Sequence, residues 1–344
     1  MEKIDFVILW VDGDNKEWSG IRNQYLPREY DKKDSLSAAR FRDMGTLKYV
    51  LRSIEKNCPW YNRIHLVTKG YYPTWLDINH PKISLVNEES IFKNTSCLPV
   101  FNSNAIEMNL CNIPNLSEQF IYLNDDMVIM QALKSERFFI GDKVVDFLVN
   151  SPIPRNRFFD FFKKRDTWIH SINNSLKLIN RHFTPITLPN RYLYHHSYSI
   201  LDKFNNFLLD KIFKKFIWIE HWHHPQPYLK KTLIETYNAF TEEMDRCSCN
   251  RFRSKSDLNP YIYRYYHLAN ADFYPYKHND ALVTNLDSIE ILQRMIATLE
   301  KNSKINFVCF NDSVNLSDHE YEKVKKMLLS FLEEQFPNKA SFEH

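Results

Sequence analysis

An alternation of short apolar runs with amphipathic helical stretches dominates the first 130 residues and constrains the fold most. Residues 4–11 form a β-branched apolar run that ends in the turn sequence DGDN, and residues 46–55 carry apolar side chains at helical spacing. The segments RIHLVTKG, KISLVNEESIF and FIYLNDDMVI are expected to be strands, and NAIEMNLCNI a helix. This alternation predicts a mostly parallel sheet covered by helices.

Acidic and amide side chains follow two of the apolar runs. FIYLNDDMVI places Asn124, Asp125 and Asp126 after its first apolar residues, and INFVCFNDSVN ends in Asn311 and Asp312. Ligands bind at the carboxyl ends of strands in such sheets, and Mg²⁺ takes carboxylate and substrate oxygens. Either pair alone fits turn chemistry equally well, because Asn and Asp both form Asx turns. Adjacent carboxylates favour a cation, since unpaired buried charges are costly.

Composition excludes several classes of protein. The 45 Lys and Arg nearly balance the 42 Asp and Glu, so no basic field indicates nucleic acid. Five glycines leave no Gly-rich phosphate loop, so side chains and metal would have to bind any phosphate. Six cysteines without paired CxxC spacing predict reduced thiols. The N-terminal run resembles neither a signal peptide nor a membrane span, and we expect a cytoplasmic chain, free or peripherally membrane-bound.

The pattern changes in the middle of the chain. We expect residues 1–150 to form the first part of a catalytic core, 151–220 a helical insertion, 221–320 the second part of the core, and 321–344 a C-terminal helix and tail. Ser317 and Glu320 fit a capping box for that helix. The stretch KIFKKFIWI, residues 211–219, fits either a lipid-docking segment or a buried amphipathic helix.

Two clusters leave alternatives open. HWHHP, residues 221–225, fits a zinc cluster or a solvated, helix-capping group of imidazoles, although no finger-like spacing surrounds it. The triplet RFR occurs at 40–42 and again at 251–253. Guanidinium groups match phosphate oxygens, whereas paired arginines also occur in surface ion pairs. Surface positions are the commoner case for paired arginines, and the repetition of the triplet strengthens the phosphate interpretation without deciding between the two.

Several of these segments, in this order, resemble the signature blocks of the Stealth phosphotransferases. They are IDFVILWVDGDN, then RFRDMGTLKYVLRSIEKNCPWYNRIHLVTKGYYPTWL through LPVFNSNAIEMNLCNI to FIYLNDDMVI, then HHP with FTEEMDRCSCNRFRSKSDL, and FVCFNDSVN. The insertion at 150–220 lies outside the resemblance. The resemblance implies a glycosyltransferase-A-like α/β core that transfers a sugar 1-phosphate from a UDP-sugar to a hydroxyl of a glycan or lipid-linked oligosaccharide. It also implies Mg²⁺, with Mn²⁺ able to substitute, and no nucleic-acid partner.

The resemblance further implies roles for individual residues. His223 stands at the family's His-x-Pro position and would be the general base, with the neighbouring imidazoles structural. The catalytic residues would be His223, Arg253, Arg40 and Asp126. The substrate-binding residues would be Asp12, Gly13, Asp43, Glu107 and Asn124. The metal ligands would be Asp125, Asp126, Asn311 and Asp312. Arg42 stands where relatives can carry an acid, which leaves its role open.

Two other classes of protein share part of this pattern. A metal-dependent glycosyltransferase would use the same sheet, acids and nucleotide sugar but would release a nucleoside diphosphate. A non-catalytic carbohydrate-binding protein would account for the aromatic content of 15%. It would not need acids at two strand ends, so we rank it last.

Overall fold

The computed structural model describes residues 2–13, 15–26, 42–151, 167–313 and 315–344. The strands within these ranges are β1 (Ile4–Leu9), β2 (Ile64–Thr68), β3 (Ile83–Asn87), β4 (Gln119–Asn124), β5 (Met127–Ile129), β6 (Phe139–Ile140), β7 (Lys143–Asp146), β8 (Gln226–Leu229), β9 (Tyr274–Pro275), β10 (Ala281–Asn285) and β11 (Phe307–Asn311). The α-helices are Lys16–Gln24, Leu47–Asn57, Ser103–Glu107, Thr167–His182, Asn190–Leu193, Ile200–Phe207, Lys230–Ala239, Thr241–Ser248, Tyr261–Ala269, Ile289–Lys301 and Asp318–Gln335.

The main sheet has five strands in the order β3-β2-β1-β4-β8. The first four are parallel, and β8 pairs antiparallel with β4. β1 and β2 are buried along almost their whole length, as expected of strands that helices cover on both faces. The predicted fold class, a mostly parallel α/β sheet flanked by helices, is confirmed. The four-part division of the chain stays a prediction.

FIYLNDDMVI forms two strands, which corrects the expectation of one. β4 ends at Asn124 in the main sheet, the chain turns at Asp125 and Asp126, and β5 begins at Met127 in a second sheet. That sheet has the order β10-β11-β5, in which β11 is parallel to β10 and antiparallel to β5. The chain leaves the main sheet at this turn because β5 completes its backbone hydrogen bonds with β11 instead.

Most of the other predicted elements occur, with local differences. NAIEMNLCNI is the helix Ser103–Glu107 followed by a 3₁₀ turn, and KISLVNEESIF is strand only to Asn87. The segment after HWHHP contains the edge strand β8, which the sequence pattern did not indicate. The capping box of Ser317 and Glu320 is confirmed at the start of the last long helix.

The insertion is helical where the structure describes it. Its helices are Thr167–His182, Asn190–Leu193 and Ile200–Phe207, and the last of these continues into a π-helical turn, Leu208–Phe213. The first of these packs on the helix Tyr261–Ala269 of the core. Among the described residues, no helix combines the length and the apolarity that crossing a bilayer requires.

Cys97 and Cys249 form a disulfide, which makes the expectation of reduced thiols wrong for this pair. The fold brings together the loop before the helix Ser103–Glu107 and the end of the helix Thr241–Ser248, with the two Cα atoms 4.6 Å apart. The remaining cysteines are free and buried.

Candidate active site

A cavity of about 1090 Å³ opens where β1, β4 and β11 end. Most of the predicted site residues line it, although they come from distant parts of the sequence: Glu107, Asn124, Asp125, Asp126, His223, Arg253, Asn311 and Asp312. Asp12, Gly13 and Asp43 are not among the described residues that line this cavity. Arg40 lies outside the described residues. The roles assigned to all of these residues stay predictions.

The turn between β4 and β5 presents two carboxylates to the cavity. The Phe310 backbone N–H donates to the Asp126 carbonyl at 3.0 Å, which ties the turn to β11. This contact explains why the two Asn-Asp pairs converge, since Asn311 and Asp312 follow Phe310 directly. Within the described part of the chain, the Asp126 Oδ1 atom is buried and has no hydrogen-bond partner.

Burial and mutual repulsion raise the pKa values of several of these acids. Burial raises the pKa of Asp125 well above its usual value, and the charges of Asp126 and Asp43 raise it further. Burial also raises the pKa of Asp43, as does the charge of Asp12, although an N–H from Gly45 at 2.6 Å opposes the shift. Such a group of carboxylates is stabilised by a cation.

Arg42 supplies part of the positive charge beside these carboxylates. Its role was left open by the sequence. Its Nε and Nη2 atoms donate to the two carboxylate oxygens of Asp312, both at 2.9 Å, and Nη2 also donates to the Ser313 carbonyl at 3.0 Å. The guanidinium also lies over the ring of Tyr321, 4.1 Å from its centroid. Burial nevertheless raises the pKa of Asp312. Arg42 therefore fixes one acid of the site in place.

The arrangement of donor atoms beside the turn fits a divalent cation. One ligand atom each of Asp126, His223 and Cys309 lies within 4.8 Å of the others. The Cys309 thiol lies 3.4 Å from Asp126 Oδ2, and burial, together with the nearby carboxylates, raises its pKa well above the usual value. Asp126, whose Oδ1 atom is buried without a hydrogen-bond partner among the described residues, is the strongest candidate ligand of the three.

The three imidazoles of HWHHP have different surroundings. His223 faces the cavity, with Nε2 3.4 Å from the Asn124 amide nitrogen. His224 stacks on Phe307 and contacts the Pro225 carbonyl at 2.7 Å, and burial lowers its pKa to about 4. His221 packs on Tyr261, with ring centroids 4.5 Å apart. The environment of His223 alone combines access to the cavity with few structural contacts.

Glu107 and Arg253 meet on another wall of the cavity. The Tyr122 hydroxyl donates to Glu107 Oε1 at 2.5 Å, while Arg253 Nη2 donates to Ser103 Oγ at 2.9 Å. Burial raises the pKa of Glu107, and the Tyr122 hydrogen bond and the Arg253 charge oppose the shift. Glu107 therefore lies at the cavity wall, and its substrate-binding role stays a prediction.

Asp257 organises the loop that carries Arg253, a role the sequence analysis missed. Its Oδ2 accepts hydrogen bonds from the side chains of Asn102 and Asn104 at 3.0 and 3.2 Å, and from the Ser254 N–H at 3.1 Å. The SNAIE helix and the RFR loop therefore share one buried carboxylate. Asp257 lies in the segment FRSKSDL, so its position next to the second RFR triplet was the available signal.

Comparisons with known proteins identify the family. Residues 40–147 match the family model of Stealth protein CR2, conserved region 2, and residues 297–344 match that of Stealth protein CR4, conserved region 4. The capsular polysaccharide phosphotransferase WcwK of Streptococcus pneumoniae is 31% identical over 100% of this chain and 98% of its own length. The exopolysaccharide phosphotransferase cps2G of Lactiplantibacillus plantarum is 32% identical over 99% of this chain and 96% of its own.

A third relative and one solved structure complete the comparison. The receptor polysaccharide phosphotransferase WefC of Streptococcus gordonii is 32% identical over 100% of this chain and 99% of its own. The galactosyltransferase LgtC aligns over 94% of this chain and 95% of its own at 10% identity, with a TM-score of 0.36. A likeness that distant carries no argument of its own. The full-length relatives and the two matched regions show that this chain is an enzyme of the Stealth family of phosphotransferases.

Proposed function

We propose that this enzyme transfers a hexose or N-acetylhexosamine 1-phosphate from a nucleotide diphosphate sugar, a UDP-sugar, to a hydroxyl of a growing cell-surface polysaccharide. The products are a phosphodiester and a nucleoside monophosphate. The acceptor is a glycan or a lipid-linked oligosaccharide, and the reaction belongs to the cytoplasm. The relatives' names, which specify polysaccharides, support the acceptor class.

One observation carries the proposal: an accessible imidazole, a pair of adjacent carboxylates and a guanidinium line the same cavity. The acceptor hydroxyl must lose a proton as it attacks phosphorus, and His223 is the imidazole suited to accept it. Arg253 then faces the negative charge that develops on the phosphoryl oxygens and the leaving nucleotide. Asn124, 3.4 Å from the His223 ring nitrogen, orients that ring.

Asp126 is the residue we assign first to a bound Mg²⁺ or Mn²⁺, with Asp125, Asn311 and Asp312 around it. Hard oxygen donors are the ligands that Mg²⁺ prefers. The ion would supply charge stabilisation to the diphosphate. The buried, unpartnered Oδ1 of Asp126 and the raised pKa of Asp125 support a cation at this turn.

The bond that breaks separates this proposal from its rival. Attack at phosphorus releases a nucleoside monophosphate, whereas a glycosyltransferase attacks the anomeric carbon and releases a nucleoside diphosphate. Purified enzyme is incubated with each of a panel of nucleotide sugars and an acceptor glycan, and the released nucleotide is separated by anion exchange. The proposal predicts UMP formed in step with product. UDP in its place would identify a glycosyltransferase.

A further inference from the structure

One helix of the insertion presents its apolar side chains to solvent. The helix Ile200–Phe207 and the π-helical turn Leu208–Phe213 form a continuous ridge. Its exposed side chains, which we call the apolar ridge, are Ile200 (89% exposed), Leu201 (64%), Phe204 (55%), Phe207 (46%), Ile212 (61%) and Phe213 (43%). A contiguous group of this kind marks a surface that contacts another apolar phase.

Polar contacts on the opposite side of the helix fix this orientation. Asp202 accepts a hydrogen bond from Lys277 Nζ at 3.0 Å. The buried Asn206 amide donates to the carbonyls of Leu148 and Leu193 at 2.8 and 2.7 Å. A helix of a globular protein usually buries its apolar side, whereas this one buries polar side chains and exposes apolar ones. The polar contacts would be lost if the helix rolled over to bury the ridge.

Charge around the apolar ridge has one sign. Between residues 200 and 217, all of which the structure describes, both acids are buried, Asp202 with Lys277 and Asp210 with Lys211. The remaining charged side chains in this range are basic and at least partly exposed: Lys203, Lys214 and Lys215. An apolar surface edged with lysines matches the interface of a bilayer that contains anionic lipid. A second copy packed on the same surface would bring like charges together.

We propose that the apolar ridge docks on a membrane containing anionic phospholipid, with its side chains in the headgroup region. The ridge ends at Phe213, and the chain then continues directly into the cavity wall at Trp218 and His223. Docking would therefore hold the cavity close to the bilayer, where a lipid-linked acceptor lies. The sequence left KIFKKFIWI open between lipid docking and a buried amphipathic helix. In the structure Ile212 and Phe213 of this stretch belong to the exposed ridge, whereas Phe216, Trp218 and Ile219 are buried.

Vesicle sedimentation tests membrane docking without donor or acceptor. The docking proposal can therefore fail independently of the proposed function. The full chain is mixed with vesicles of equal parts phosphatidylglycerol and phosphatidylcholine, and with vesicles of phosphatidylcholine alone. We expect sedimentation with the first, little with the second, and weaker binding as salt is added. Phe204→Ser combined with Phe207→Ser should weaken binding by about 10-fold or more. Lys203→Gln with Lys215→Gln should weaken it by about 10- to 30-fold.

A matched control uses apolar side chains of similar exposure outside the ridge. Ile140 and Ile234 are 39% and 43% exposed, and Ile140→Ser with Ile234→Ser should leave vesicle binding unchanged. Circular dichroism and the unfolding temperature check that each variant is folded. Failure of the wild-type chain to sediment with phosphatidylglycerol vesicles would overturn the proposal. So would equal loss in the control variant, or a wild-type dimer that the Phe204 and Phe207 substitutions dissociate.

Discussion

Alanine substitution of each imidazole in HWHHP should separate catalysis from stability. The His223 ring faces the cavity, with Nε2 3.4 Å from the Asn124 amide nitrogen. His223→Ala should therefore leave the unfolding temperature nearly unchanged. Loss of a general base lowers kcat by about 10²- to 10⁴-fold, and donor binding should persist because ground-state contacts remain.

His224→Ala should have the opposite effect. The substitution removes a 2.7 Å contact with the Pro225 carbonyl and a ring stacked on Phe307 at a centroid distance of 5.8 Å. A lost hydrogen bond costs about 1 kcal/mol, and truncation of a packed ring costs about 2 kcal/mol more. The free energy of unfolding should fall by about 3 kcal/mol, which lowers the unfolding temperature by about 4 °C for a chain of this length. His221→Ala, which unpacks the ring from Tyr261, should resemble His224→Ala.

Calorimetry and single-turnover kinetics on the three variants together check both parts. Single turnover isolates the chemical step, and donor affinity is measured separately by isothermal titration. The reasoning is refuted if His223→Ala keeps wild-type kcat while His221→Ala loses activity without loss of stability. Similar kinetic losses in all three folded variants would instead indicate that the imidazoles bind one metal together.

Three further perturbations test other parts of the site. Chelation should abolish turnover, and added Mg²⁺ or Mn²⁺ should restore it. Asp126→Asn should lower kcat by about 10²-fold or more. Full activity in excess chelator would exclude the metal assignment. Arg42→Ala leaves the largely buried Asp312 without its bidentate partner and should lower the free energy of unfolding, measured by chemical denaturation, by about 2–3 kcal/mol. Adding Asp312→Asn should recover part of this loss. A double variant that is less stable than Arg42→Ala would contradict the role of the ion pair. His224 has a pKa of about 4 in the folded chain, against about 6.5 in the unfolded chain. Between these pH values the unfolded chain binds more protons, so the free energy of unfolding falls as the pH is lowered from about 6.5 to about 4. His224→Gln should flatten this part of the stability curve by at most about 3 kcal/mol, and an unchanged difference between pH 6.5 and pH 4 would disagree with the assignment.

The sequence predicted the alternating core because apolar runs and helical spacing report local structure directly. It could not indicate that Asp125 and Asp126 separate strands of two different sheets, since both strands read as one apolar run. β8 was not predicted because it contains Pro227. An edge strand tolerates a proline, but a proline in a sequence does not indicate a strand.

The candidate site residues that lie in family motifs could be predicted from the sequence. The contacts between residues far apart in the sequence could not. The acids, His223 and Arg253 were candidates from the sequence, and the structure places them around one cavity. The Arg42–Asp312 pair joins residues 270 positions apart, a separation that no spacing rule covers. The exposed face of the helix Ile200–Phe207 was also unforeseen, because periodicity identifies an apolar face without stating whether the protein buries it.

The fate of the β-phosphorus of the donor tests the central claim most directly. A UDP-sugar carrying ³²P at the β position is incubated with enzyme, Mg²⁺ and acceptor glycan, and the label is followed into polymer and released nucleotide. The account predicts that the label enters the polymer as a phosphodiester, with UMP unlabelled and the anomeric configuration of the sugar unchanged, since no bond to carbon breaks. Label recovered in UDP, with an unlabelled glycan product, would contradict it.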